Sequence, residues 1–167
     1  MAKRLDSNAI LSITATIVSV CALFVAAYQT ILMRQQQSAS VWPKLVISNA
    51  YFEDMGNDTF YRLDIRNVGI GPALITRVVI EADGVKFNTM NEYGKWVLKQ
   101  HQAVDSLQYD ARDLLPEEVI PQNETVRLFD TYKSRFAGYF TPKQTNFKIT
   151  VGYESVYGEK WQASFPR

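Results

Sequence analysis

Two patterns of apolar and polar positions divide the chain. In the first, the residues from Ala9 to Tyr28 carry no formal charge, and the uncharged run continues to Met33 before Arg34 ends it. At about 1.5 Å of rise per residue, roughly 20 residues cross a hydrocarbon core about 30 Å thick. The run therefore predicts a transmembrane helix over 9–33, preceded by a short tail, 1–8. A cleaved secretory signal has a shorter apolar region ending in small residues. Val25-Ala26-Ala27 mimics such an end, but the expectation is an anchor that is retained. The polar stretch Gln35-Gln36-Gln37-Ser38-Ala39-Ser40 predicts a juxtamembrane linker or stalk over 34–42. Pro43 then disfavours helix for Trp42 and starts an extended run.

The second pattern has a period of two. Tyr61, Leu63 and Ile65 share one face, opposite Arg62, Asp64 and Arg66. Leu74, Thr76, Val78, Ile80 and Ala82 form another face, opposite Arg77 and Glu81, and Phe147, Ile149, Val151 and Tyr153 repeat the arrangement. Trp161, Ala163 and Phe165 close the chain. Alternation of this kind, cut by turn residues, predicts half-buried strands of antiparallel sheets. Asp83-Gly84 and Tyr157-Gly158-Glu159 are hairpin turns, and Asn67-Val68-Gly69-Ile70-Gly71-Pro72 is a tight crossover whose glycines are expected to supply unusual backbone angles. Residues 91–100 read as a short helix and 131–137 as a second. The expected fold is mainly β: one N-terminal transmembrane helix, then an immunoglobulin-like antiparallel β-sandwich over 43–167 with one or two short helical insertions.

Composition narrows the function classes. The 167 residues hold 18 Lys and Arg against 17 Asp and Glu, a net charge of +1, which lacks the electrostatic footprint of a nucleic-acid duplex binder. One Cys and one His exclude an internal disulfide framework and any zinc site built from two or more residues of either kind. No cofactor or metal is expected.

A resemblance accompanies these residues. The run Asn67-Val68-Gly69-Ile70-Gly71-Pro72-Ala73-Leu74-Ile75, followed by a strand ending in Asp83-Gly84, resembles a pattern shared by many largely uncharacterised bacterial proteins. Those proteins have one N-terminal span, a Trp/Tyr-Gln exit matched here by Tyr28-Gln29, a polar stretch ending in proline matched by Trp42-Pro43, and an immunoglobulin-like domain. The terminal Tyr153, Tyr157-Gly158 and Trp161 are similar too. The resemblance implies topology and a single-pass location in the bacterial inner (plasma) membrane, and it implies no chemistry. In many relatives the stretch after the span is rich in Arg and Lys, which implies a cytoplasmic domain. Here Arg34 is followed by three glutamines instead, and the balance of Lys3 and Arg4 against Arg34 and Lys44 leaves orientation open.

Candidate functional residues fall in three groups. Ser12, Ala15, Ser19, Ala22, Ala26 and Gln29, with Met33, recur at spacings of three and four, one stripe of a helix. Small residues let membrane helices approach closely, so the stripe suggests a homo-oligomer or docking on a partner membrane protein. Arg62, Arg66 and Arg77 form an outward row for an acidic partner or an anionic ligand if their strands are neighbours, with pairing to Asp64 and Glu81 as the plainer account. Tyr93 and Trp96 suggest an exposed partner anchor, or else a helical lid on an open end of the sandwich. Catalytic signals are thin. His101, with Asp105 and Ser106 nearby, has no nucleophile-elbow motif, and Asp105, Asp110, Asp113, Glu117 and Glu118 lack the ligand spacing of a calcium loop. The expected function is a non-enzymatic, membrane-anchored interaction and oligomerisation module whose partners are the lipid bilayer and further copies of itself. The alternative is a ligand-sensing membrane effector whose cytoplasmic domain binds an anionic signal such as a nucleotide.

Overall fold

The computed structural model describes residues 7–39, 41–53, 59–102, 108–132 and 137–166. The chain divides into two units, Met1–Ser40 and Val41–Arg167. The first is a single helix, α1 (Ser7–Ala39), of 33 residues. Within it Ile10–Gln36, 27 residues whose most apolar 18-residue stretch has a mean hydropathy of 2.4, is long and apolar enough to cross a membrane, and none of it is buried. The helix does not stop at Met33. Gln and Ala are good helix formers, so residues 34–39 continue it and the expected linker is largely a helical extension.

The second unit has nine strands among its described residues. The first sheet runs in the order β1 (Leu45–Glu53), β2 (Thr59–Asn67), β7 (Thr125–Thr131), β5 (Tyr109–Ala111). The second runs in the order β4 (Val85–Phe87), β3 (Ala73–Ala82), β8 (Lys148–Glu154), β9 (Lys160–Phe165), with the two-residue β6 (Val119–Ile120) also paired to β3. Every pairing is antiparallel. The buried faces of both sheets share one core, which takes Leu63 and Ile65 from β2, Ile75 and Ile80 from β3, Phe129 from β7 and Val151 from β8. The β3–β4 hairpin turns through Asp83 (φ 47°) and Gly84 (φ 80°), the left-handed pair that a two-residue turn requires.

Two irregularities reset the alternation. In β3, Ile75 faces Tyr153 but Arg77 faces Gly152, which leaves Thr76 as an extra residue. Ala73 and Ile75 are buried before the bulge, and Ile80 and Ala82 after it. The single face expected from Leu74 to Ala82 is thus corrected: Leu74 is only half-buried and Thr76 is exposed, because one inserted residue inverts the phase of a period-two pattern. Similarly, the β2–β7 register slips between Leu63 and Asp64, and the adjacent Leu128 and Phe129 are both buried.

The insertion after β4 is α2 (Met90–Gln100). Thr89 Oγ1 accepts from the Glu92 amide at 3.0 Å, and the Glu92 carboxylate accepts from the Asn88 amide at 2.9 Å, a close variant of a capping box. Asp113 accepts from the Met90 amide at 2.6 Å and ties the helix start to the loop before β6. Of the second expected helix, residues 133–136 lie outside the described residues, Thr131 ends β7, and helical structure begins later. It consists of a 3-10 turn at Ala137–Phe140 and the short α3 (Pro142–Thr145).

Candidate functional site

On α1, Ser12, Ala15, Ser19, Ala22, Ala26 and Gln29 are all exposed, as are the large apolar side chains around them. The hydroxyls are internally satisfied. Ser12 donates to the Asn8 carbonyl at 2.9 Å, Ser19 to Ala15 at 2.8 Å and Thr30 to Ala26 at 2.9 Å, each one turn back. Such back-bonding lets a hydroxyl sit in an apolar medium without a partner or water to receive its proton. The stripe therefore presents small, flat surface more than unsatisfied polarity.

The arginine row divides. Arg62 and Arg66 lie on β2 in one sheet, and Arg77 lies on β3 in the other. Arg62 is also engaged. Its Nη2 is 3.3 Å from Asp130 Oδ2, and Arg127 shares that carboxylate at 3.0 Å while its Nε stands 3.5 Å from Asp64 Oδ1. Two arginines and two aspartates thus alternate on the outer face of β2 and β7. Arg66 and Arg77 remain exposed, but the three guanidinium groups do not converge as a basic pocket. Glu81 pairs with Lys86 at 3.4 Å.

Tyr93 is not an exposed anchor. It is 1% exposed and sits among Phe87, Phe129, Phe140 and Phe147, with the Phe147 ring centroid 4.5 Å away. Its hydroxyl lies 3.3 Å from the Thr145 hydroxyl. Helix α2 buries Met90, Tyr93, Val97 and Leu98 along one stripe, so Tyr93 is the inward face of a lid. Trp96 is half-buried against Phe87, with centroids 5.4 Å apart. Burial pushes the Tyr93 and Tyr61 hydroxyls well above the ordinary tyrosine range, which keeps both protonated.

The other candidates take structural roles. His101 caps α2 and stacks on Tyr139 with centroids 4.0 Å apart. Asp105 and Ser106 lie outside the described residues. Asp110 accepts from Tyr132 at 3.0 Å, Asp113 from Met90, and Glu118 from Arg112 at 2.7 Å, so these carboxylates are used singly. Among the described residues no group of three His, Cys, Asp or Glu is placed to hold a metal ion.

The residue that sequence reasoning passed over is Asn67. Its side chain is fully buried, and Oδ1 accepts from the Gly69 amide at 3.0 Å and the Lys44 amide at 3.2 Å. Its Nδ2 donates to the Gly71 carbonyl at 2.8 Å and the Ile120 carbonyl at 3.0 Å. Its backbone bonds Glu124 and Asn123. One amide thereby joins the start of β1, the β2–β3 crossover, β6 and the β6–β7 turn. Gly69 and Gly71 are needed here for space. Neither has positive φ, contrary to the expectation of unusual backbone angles, but a Cβ on either would collide with the backbone of Val41–Lys44. The signal was an asparagine two residues before a glycine, the spacing of a local side-chain turn.

Hollows lie beside both sheets among the described residues. One, of about 430 Å³, lies between Asn49 and Tyr51 of β1 and the segment Gly138–Gln144. Another, of about 360 Å³, runs between the edges of β1 and β9 beneath Trp42 and Trp161. The sequence pattern of a protein family described as a domain of unknown function matches residues 8–166. No curated protein and no solved structure matches the chain.

Proposed function

We propose, from the premise that the chain belongs to the DUF8453 family, that it is a single-span membrane protein whose β domain is a non-enzymatic interaction and oligomerisation module. The observation that carries this reading is the exposure of α1. From Ile10 to Met33 large apolar side chains stand open to the surroundings, and none of the 27-residue apolar window is buried. Continuous apolar surface on this scale requires lipid or protein to cover it.

The domain reads as an immunoglobulin-like sandwich. The order β1-β2-β7-β5 corresponds to strands A, B, E and D of that fold, and β3-β8-β9 to C, F and G, with β4 beside C. It departs from antibody domains in having no disulfide between the sheets. On the strength of the sequence resemblance, the host under this reading is the bacterial plasma membrane. The span holds copies at one surface, which raises their effective concentration, and the small-residue stripe lets helices approach.

The oligomer is tested in detergent. Ala22→Leu combined with Ala26→Leu inserts two branched side chains into the stripe, and the expected result is a shift of the full chain toward monomer. Phe24→Leu, off the stripe, is expected to leave the distribution as it was. An oligomer size unchanged by the double substitution would remove self-association through this face.

A further inference from the structure

We infer that β1 beyond Ile47 is a strand-addition site. An extended segment of an acidic polypeptide pairs with its free edge and sets a carboxylate side chain into the hollow beside Lys143. The inference deepens the interaction-module reading above by naming the chemistry of the β domain's partner.

The strands that end the two sheets are not alike. β4 and β5 are three residues long, and β9 starts at Lys160 and is followed by Pro166. Shortness, lysine and proline are ordinary guards of a sheet edge. β1 has none of them. It is nine residues long, pairs with β2 in unbroken register, and carries no charge and no proline over residues 45–52.

The ladder fixes which backbone groups of β1 face outward. The Val68 amide donates to the Lys44 carbonyl at 2.8 Å, so Val46, Ser48, Ala50 and Phe52 continue the bonded pairs. Leu45, Ile47, Asn49 and Tyr51 then turn amide and carbonyl away from β2. Two bonds agree with this phase. The Leu45 amide donates to the Tyr153 hydroxyl at 3.3 Å, and the Tyr61 amide, opposite Tyr51, donates to Thr131 Oγ1 of β7 at 2.8 Å. Beside Leu45 and Ile47 lies β9, across the hollow of about 360 Å³. Past Ile47 the facing wall is residues 138–144, across the hollow of about 430 Å³. Asn49 and Tyr51 stand on the face that buries Leu45 and Ile47, yet both are exposed, so the core face of β1 continues into open space. Among the described residues nothing bonds the amide, carbonyl or side chain of Asn49.

Backbone geometry and charge select the occupant. A strand edge of alternating donors and acceptors matches another extended chain. The residue of that chain opposite Asn49 exchanges both bonds with it and points its side chain to the same side as Asn49, toward the hollow. Tyr51, Tyr139 and Pro142 supply apolar surface there, and Lys143 is the one formal charge among the described lining residues. Neither wall brings a carboxylate. Residues 45–52 contain none, and residues 131–153 contain Lys133, Arg135, Lys143 and Lys148 with no acidic residue until Glu154. Along β1 the first is Glu53, at the end of the strand. A second copy of β1, uncharged over the same run, has no carboxylate to set beside Lys143, so the partner is an acidic chain.

The probe is a fluorescein-labelled peptide that alternates valine and glutamate, titrated by anisotropy against the full chain in detergent. The expected result is saturable binding that falls about tenfold or more when lysine replaces glutamate in the peptide, with the preference reversed in Lys143→Glu. Two further peptides, N-methylated on every glutamate or on every valine, separate a strand edge from charge alone, because alternate amides of an added strand face opposite ways. One of them should lose about tenfold or more and the other should bind like the parent. Asn49→Pro should weaken the parent peptide similarly while leaving the denaturant unfolding curve in place, since the amide it removes lies outside the ladder with β2. Both N-methylated peptides binding like the parent would overturn strand addition in favour of a side chain or small molecule in the hollow. A lysine peptide that binds as well as the glutamate peptide would overturn the acidic partner, and no binding of the glutamate peptide would overturn the inference outright. None of these outcomes bears on the small-residue stripe, which the Ala22→Leu and Ala26→Leu substitutions read. An unchanged oligomer with the peptide still bound would remove self-association and leave this site standing.

Discussion

Asn67→Ala is expected to destabilise the β domain by about 3–5 kcal/mol, because each buried polar group left unsatisfied costs about 1–3 kcal/mol. Four groups lose their partner at once: the amides of Lys44 and Gly69 and the carbonyls of Gly71 and Ile120. Asn67→Asp separates the two halves of the clip. It keeps the acceptor facing the amides but sets a carboxylate oxygen against two carbonyls, so it should be no better than alanine. Denaturant unfolding of the detergent-solubilised full chain, followed by tyrosine and tryptophan fluorescence, measures both. A loss below about 1 kcal/mol for alanine, the scale of an ordinary surface-to-average substitution, would mean that water or a shifted backbone replaces the clip.

Tyr93→Ala should have a comparable effect for a different reason. Removing a fully buried aromatic costs about 3–5 kcal/mol through lost transfer energy and the cavity left behind. The cavity would open between Phe129, Phe140 and Phe147, where α2 closes on the sheets. Trp96→Ala, at the half-buried edge of the same helix, should cost distinctly less. The same unfolding measurement decides the role of the insertion. An exposed partner anchor would shift stability by no more than about 0.5 kcal/mol when truncated, and a lid residue shifts it several-fold further.

These two residues mark where reading the sequence succeeded and where it stopped. The alternation of Tyr61, Leu63 and Ile65 identified β2 and its buried side, because nothing interrupts that pattern. Asp83-Gly84 identified its hairpin through a local constraint, two left-handed residues in succession. The bulge at Thr76 was not legible, since an inserted residue has no compositional mark and yet inverts every side chain before it. Tyr93 was legible as part of a helix but not as core, because an amphipathic pattern names a face without naming what covers it. Asn67 shows the same limit more sharply. Its turn with Gly69 is local and visible, but Lys44 and Ile120 are 23 and 53 positions away and reach it only through the fold. Arg77 parted from Arg62 and Arg66 likewise, because sheet membership depends on which strands pair, and outward-facing residues say nothing about that.

The crossover also gives the β domain a defined end. The glycines admit the lead-in segment Val41–Lys44 closely, Asn67 ties it down, and Val68 and Ile70 are left exposed.

The central claim is that Ile10–Gln36 resides in a bilayer, and flotation of the full chain after alkaline extraction of membranes tests it most directly. The account predicts that the chain stays with the lipid at high pH and floats with it through a density gradient. A chain released to the aqueous fraction, monodisperse without detergent, would contradict it.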